Sequence, residues 1–552
     1  QALDFLCHWI NADKPDGLVA RLCQQQLITN LKAAVLYQFK GQALLQIEFS
    51  AAAEITQTAT QISEMFYDWL AFFSTQQDWP ALREEFRLLQ QRQMEVCGAM
   101  ELARLDCEQA EGPLSDQAVA ALKAILGQMQ PVPVSTCRYT WQLPAANPFL
   151  RAAKEPVNAG LIRGQTSAHR GLRTFAQDRL RSRRDMSAMN FSSAVPAHNG
   201  EAAIYLRWRL HATPADGVLS GLENSLRPLQ QDARAAGVEL SFSPCGNDWL
   251  LKLQGFQMPM PAILEHALRA LATPSTGPLT NAPPARPLIP IRQLLKRLPE
   301  VCQPGSDYVA GDLQQCWATA QWDGLAVGLP AATQSLITAA LARVPGTPDA
   351  QIRQEPESAN RHFWHTEPCD SSEQALLLFC PAPVGNLGAE AAWRLLAHIA
   401  QTPFYQRLRG ELQLGYAVFS GLRQINGQTG LLFGVQSPHA STAEIFGHIR
   451  TFLADLPQLV SSLDETSFTQ ARDALARQFS TEALGALQAA ELLWQAKLAG
   501  HPSDYLEALY AALLALEPGT TLKAAQHIAQ ADIGYLCLAT HTATETFYQG
   551  RS

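Results

Sequence analysis

The chain has 552 residues, of which 47% are hydrophobic and 17% charged, and its net charge is −8. That length exceeds what one hydrophobic core serves, so three or four domains are expected. Apolar content this high with so small a net charge excludes a mainly disordered polymer. The acidic balance gives no overall electrostatic reason to bind nucleic acid or an anionic membrane surface. The longest clean apolar stretch, Ala508 to Leu516, is about half the roughly 20 residues that a spanning helix needs, so no transmembrane segment is expected. The 11 cysteines are scattered without a Cys-x-x-Cys pair. That pattern suits reduced thiols and a cytoplasmic setting.

Gln1 to Phe5 reads as a helix, with no Met and no leader before it, so something is expected in front of residue 1. Ala33 to Tyr37 and Leu44 to Ile47 then read as strands joined at Gly41, and Ile55 to Phe73 as a helix. The same plan returns further on. Val238 to Phe242 alternates, turns at Gly246-Asn247, continues as Trp249 to Leu253, and is followed by a helix from Pro261. It returns again where Ala375 to Cys380 is an apolar strand and Ala389 to Ala400 a helix. There Tyr416 to Phe419 and Leu431 to Val435 flank Asn426-Gly427, and Ser441 to Glu444 forms a capping box for a helix whose inner face is Ile445, Ile449, Phe452 and Leu456.

Leu-Leu pairs mark the returning strands at 45, 251 and 432. Repeats this long are whole domains, which points to an α+β chain of tandem homologous domains, each an antiparallel sheet covered by helices. Seven arginines (163, 170, 173, 179, 181, 183 and 184) lie in a stretch with little apolar periodicity. They mark a linker at 156–190. The expected units are 1–155, 191–357 and 358–552, with a Pro-rich passage at 274–290 inside the second of these.

Self-sufficient chemistry is missing from the sequence. It has no His-Glu-x-x-His, no His-x-x-Glu-His, no Gly-rich phosphate loop and no Gly-x-Ser-x-Gly elbow. His362, His365, Glu367 and Cys369 are the nearest approach to a metal-ligand cluster, but strand alternation would send the two histidines to opposite faces. A packing role is expected for them. The arginine run contains one aromatic, Phe175, and so lacks the stacking residues of single-strand binding modules. No nucleic-acid partner is expected.

One constellation carries chemistry. In Pro403 to Gly421, Phe404, Leu408 and Leu412 fall on one helical face, Gly415 is expected to release the chain, and Tyr416 to open a strand. Arg409 and Tyr416 can then project from one helix-to-strand corner. An arginine fork can hold a substrate carbonyl or carboxylate, and a phenol can donate to a developing oxyanion. Spacing alone leaves open a plain corner with a surface arginine.

Arg409, Gln413, Leu414, Gly415 and Tyr416 match, in order and spacing, an Arg-x-x-x-x-Gln-Leu-Gly-Tyr signature. The stretch thereby resembles the final domain of the pitrilysin and insulin-degrading-enzyme family of inverted-motif zinc peptidases. Phe419-Ser420-Gly421, Asn426-Gly427, Gly430-Leu431 and Gln436-Ser437 continue the resemblance, as do Leu143 to Phe149 and Gly17 to Phe49 upstream.

The resemblance implies a clamshell peptidase that acts on peptides in an enclosed chamber. Its zinc and catalytic base sit on a first domain that these residues lack, while Tyr416 supports the scissile carbonyl and Arg409 the substrate backbone. Composition and the short central domain are most similar to the branch that serves pyrroloquinoline quinone biosynthesis, which implies a precursor peptide as substrate. Three arrangements remain open: a zinc domain in cis, a catalytic subunit in trans, or a non-catalytic scaffold relative. A homodimer is also left open.

Overall fold

In a computed structural model the chain is described throughout, except for residues 15, 53–54, 109–113, 130–138, 152–187, 198–199, 213, 216, 246–247, 275–288, 303–310, 350–360, 370, 384–385, 481–482, 532–533 and 543–552. The arginines of the expected linker, the Gly246-Asn247 turn and most of the Pro-rich passage lie outside the described residues.

The first segment holds helices α1 (Ala2–Ile10) and α2 (Leu18–Gln24), the antiparallel hairpin β1 (Ile28–Phe39) and β2 (Gln42–Ala51), and helices α3 (Ile55–Ser74), α4 (Pro80–Val96), α5 (Ala99–Glu108) and α6 (Asp116–Met129). Its core is aromatic. Phe73 stacks between Trp69 at 5.0 Å and Trp79 at 5.4 Å, and the buried Trp79 indole donates to the Phe73 carbonyl. At the tip of the hairpin the apolar Leu36, Tyr37, Phe39 and Leu44 are exposed.

Next come β3 (Met189–Ser192), β4 (Glu201–Arg209), α7 (Val218–Ala235), β5 (Val238–Cys245), β6 (Asp248–Phe256), α8 (Met260–Ala272), α9 (Pro290–Cys302), α10 (Leu313–Thr319), β7 (Gln321–Val327), α11 (Ala331–Ala340) and β8 (Thr347–Pro348). Asn147 fastens the first segment to this one. Its backbone N–H donates to Glu85 at 3.1 Å and its side-chain amide donates to the Asp232 carbonyl at 2.8 Å. Lys14 pairs with the Asp232 carboxylate alongside.

The last segment runs β9 (Arg361–Thr366), β10 (Gln374–Pro381), α12 (Leu387–Tyr405), β11 (Ala417–Ile425), β12 (Gln428–Ser437), α13 (Thr442–Ser461), α14 (Glu465–Arg477), α15 (Ala486–Leu498), α16 (Tyr505–Leu514), α17 (Pro518–Gln530) and β13 (Gly534–Ala539). Numbering the main strands of each sheet in chain order, β3 to β7 and β9 to β13 both read 1-5-2-4-3, with β8 added beside β7. The two segments are therefore topological copies. Their sheets are mostly antiparallel, but the β3–β7 and β9–β13 pairs run parallel. The first strand of each unit returns to the outer edge beside the last one, which a purely antiparallel expectation misses.

Each of these two larger sheets is covered on one face by its own helices and on the other by a helix lent from its neighbour. On β4 the even residues Ala202, Ile204, Leu206 and Trp208 face their own helices. The odd residues Ala203 and Tyr205 join the core that contains α15, where Trp494 stacks flat on Tyr205 at 5.1 Å. On β10, Leu376, Leu378 and Cys380 belong to the home core. Ala375, Leu377 and Phe379 meet Ile291, Leu294 and Leu298 of α9, although α9 lies in chain order between strands of the other sheet. Strands buried on both faces are apolar along most of their length, which is why Ala202 to Leu206 and Ala375 to Cys380 show no alternation.

Candidate functional site

Helix α12 enters the candidate site from the core. Phe404 is fully buried, with its ring 5.2 Å from Phe433 and 5.1 Å from Phe452. At Gln406–Glu411 the helix widens into a π turn, so that the Leu412 N–H donates to the Arg407 carbonyl and the Leu414 N–H to the Leu408 carbonyl, both at 3.0 Å. Such turns recur at functional sites because they shift the phase of the side chains that follow.

The expected apolar face is corrected here. Leu408 is buried, but Leu412 caps the helix and is 38% exposed, and Leu414 occupies the inner position in its place. Gln413, at φ +51°, makes the left-handed reversal, in place of the expected release at Gly415. Gly415 is needed for a different reason. A Cβ there would lie 2.1 Å from the Gln436 carbonyl oxygen, so only glycine lets the chain reach β12 and begin β11.

The reversal sets Tyr416 at the mouth of the β11–β12 hairpin, 90% exposed. That hairpin is fixed by Asn426 at φ +50° and Gly427 at φ +81°, the pair of left-handed residues that a tight antiparallel turn requires. Arg409 comes to the same side, with its guanidinium carbon 5.8 Å from the centre of the Tyr416 ring and 5.1 Å from that of Tyr405. Its neighbour in sequence behaves differently: Arg407 is paired with Asp455 at 2.6 Å. Among the described residues no carboxylate pairs with Arg409. Its five N–H donors lie in the guanidinium plane, and no hydrogen bond or ion pair among the described residues commits them. The corner therefore offers a cation with uncommitted donors beside an exposed phenol, a combination suited to peptide carbonyls or a carboxylate.

The alternative metal cluster is a strand. His362 and His365 lie on β9. The His362 ring packs 4.2 Å from Tyr535, which lowers its pKa through burial and the charge of Arg450. His365 lies 3.7 Å from Glu367, a carboxylate that also takes Arg297 of α9 at 3.2 Å. Among the described residues no group of three or more His, Cys, Asp and Glu side chains could hold a metal, so the zinc that the resemblance implies has no fitting ligand set among them. No helix among the described residues is long and apolar enough to cross a membrane.

Sequence reasoning missed Tyr405, although it stands four residues before Arg409, the spacing that sets two side chains side by side on a helix. It also missed a buried polar cluster at the other end of α12 from the site. Glu390, at the start of α12, accepts from Tyr505 at 2.6 Å and from Arg394 at 2.8 Å, and lies 3.3 Å from His501. Burial pushes its carboxyl up, but His501, Arg394 and Tyr505 together outweigh that and hold it at about 2.

The whole chain superposes on the crystal structure of pitrilysin with a TM-score of 0.67 at 14% identity, covering 100% of this chain and 67% of that one. The chain thus has the pitrilysin fold. Two family models match within it: "PQQ synthase PqqF, C-terminal lobe domain 3" over residues 201–326 and "PQQ synthase PqqF-like, C-terminal lobe domain 4" over 395–494. The chain is 50% identical over 553 residues to coenzyme PQQ synthesis protein F of Pseudomonas protegens and 40% identical over 555 residues to its namesake in Pseudomonas syringae pv. tomato, covering 99% of this chain in each case. It is also 37% identical over 83 residues to the insulin-degrading enzyme of Drosophila melanogaster. The chain belongs to the coenzyme PQQ synthesis protein F family. It spans 67% and 65% of the length of the two Pseudomonas relatives.

Proposed function

We propose that this chain is the part of a zinc metalloendopeptidase that closes the reaction chamber and holds the substrate, and that the substrate is the precursor peptide of pyrroloquinoline quinone biosynthesis. The names of the relatives support the pathway, and the pitrilysin fold supports a peptidase. The proposed organisation is the second domain of an N-terminal half at 1–155, an Arg-rich linker at 156–190, a third domain at 191–357 and a fourth at 358–552 that carries Arg409 and Tyr416, with the zinc carried outside this chain. The relatives' greater length leaves room for a zinc-bearing portion.

The observation that carries the reading is the corner where the exposed Tyr416 phenol meets the Arg409 cation, which pairs with no carboxylate among the described residues. The phenol donates its O–H to the scissile carbonyl as that oxygen gains negative charge. Arg409 donates to a neighbouring substrate carbonyl or carboxylate and fixes the register of the peptide. Because a donor to the oxyanion acts mainly in the transition state, its loss should lower turnover more than binding. Tyr416→Phe in the full-length protein is expected to cut kcat about a hundredfold with folding retained. Peptide hydrolysis at the wild-type rate would refute the assignment.

A further inference from the structure

We infer that Tyr405 is a positioning residue for Arg409: its ring and that of Tyr416 hold the guanidinium by its faces and leave the donor edge free for the peptide. This rests on the reading of Arg409 as the substrate-holding group, and it adds a residue that the signature does not contain. The geometry is specific. The Arg409 guanidinium carbon stands 5.1 Å from one ring centre and 5.8 Å from the other, within the range of cation–π attraction. No carboxylate among the described residues competes for it.

A carboxylate partner would hold Arg409 as firmly, as Asp455 holds Arg407, but it would occupy the donors that a peptide needs. Aromatic faces restrain the planar group without taking a single N–H. The π turn is what makes the arrangement reachable. It falls at Gln406–Glu411, directly after Tyr405, and ends where Gln413 reverses the chain, so Tyr405 and Tyr416 arrive on the same arginine from two different elements. Tyr405 is 42% exposed and Phe404 carries the core contact at this point, so the Tyr405 ring is not required for packing.

The test uses the full-length protein and an internally quenched peptide that it cleaves, with the variants Tyr405→Leu, Tyr405→Phe, Arg409→Lys and the Tyr405→Leu/Arg409→Lys double variant. Loss of one exposed cation–π contact corresponds to about a three- to fivefold effect. Tyr405→Leu should therefore raise KM by about that factor with kcat little changed. It should raise the Kd of a fluorescein-labelled peptide equally when the metal is chelated, and Tyr405→Phe should restore both. In the Arg409→Lys background Tyr405→Leu should add nothing, because the planar group it holds is gone.

An unchanged KM for Tyr405→Leu, or the same loss in both backgrounds, overturns the positioning role and leaves the reading of Arg409 standing. Wild-type KM and kcat for Arg409→Lys overturn that reading itself, and the positioning role with it.

Discussion

The two copied units cover their exchanged faces in different ways. The face of β4 that receives α15 is polar at its rim. Glu491 of α15 meets Lys252 at 2.8 Å and the Tyr205 hydroxyl at 3.1 Å, and Lys497 reaches Asp323 at 3.1 Å, where Arg207 is already paired at 2.9 Å. The face of β10 that receives α9 is apolar, closed by Ile291, Leu294 and Leu298. A polar tie reaches it from the neighbouring strand β12, where the Gln436 side chain accepts from the Ile291 N–H at 3.0 Å. The carbonyl of the same Gln436 is the atom against which Gly415 packs. One seam thus carries charge and fixes orientation. The other is a hydrophobic seat that reaches Ala417 beside the Arg409–Tyr416 corner, with an ion pair, Arg297 to Glu367 at 3.2 Å, kept to the partly exposed rim.

The comparison predicts a ranking of stabilities. Trp494→Ala removes the stacked ring from the charged seam and should cost about 3–5 kcal/mol, seen as a lowered urea midpoint for the two copied units, 191–357 and 358–552, together. Leu294→Ala on α9 should cost about 2–4 kcal/mol in the same measurement. If only one sheet responds to either change, the exchange of helices is not cooperative and the comparison fails.

Acid should act on the 358–552 unit through Glu390. Its folded carboxyl is held at about 2 against an ordinary 4.5, so the ionised form favours the fold. That contribution is complete above the ordinary value and is lost as pH falls through the window from 4.5 toward 2. Glu390→Gln should flatten this acid limb in a pH series of unfolding midpoints, and a limb of unchanged steepness would show that another group governs it. The smallest effect belongs to Glu491→Gln, expected at about 0.5–1 kcal/mol because the pair with Lys252 is partly open to water. A larger loss would mean that the rim charges do more than orient.

Much of this was legible beforehand, for identifiable reasons. Short-range signals carried through: Ser441 and Glu444 make the complete capping box, and Asn426-Gly427 turns the hairpin as such a pair must. The corner at Arg409 and Tyr416 was placed by spacing, but its inner workings were not. A helical period extended past residue 405 puts Leu412 inside, because nothing local announces a π turn or a left-handed Gln413. The reversal is paid for by the long-range fit of Leu414 and Gly415 against the rest of the sheet. The exchange of helices was hidden for the same reason. An amphipathic helix such as α9 states that it has an apolar face, but it does not say whose sheet that face will meet. Tyr405 went unnoticed because an aromatic next to a core phenylalanine reads as more core.

The lending of α9 and α15 also fixes what the molecule can survive. A single cut between Asp349 and Arg361 would leave each product holding the other's cover, with Leu294 under one sheet and Trp494 under the other. The two pieces should stay together through purification and separate only under denaturant. Neither piece produced alone would have anything to close its second face.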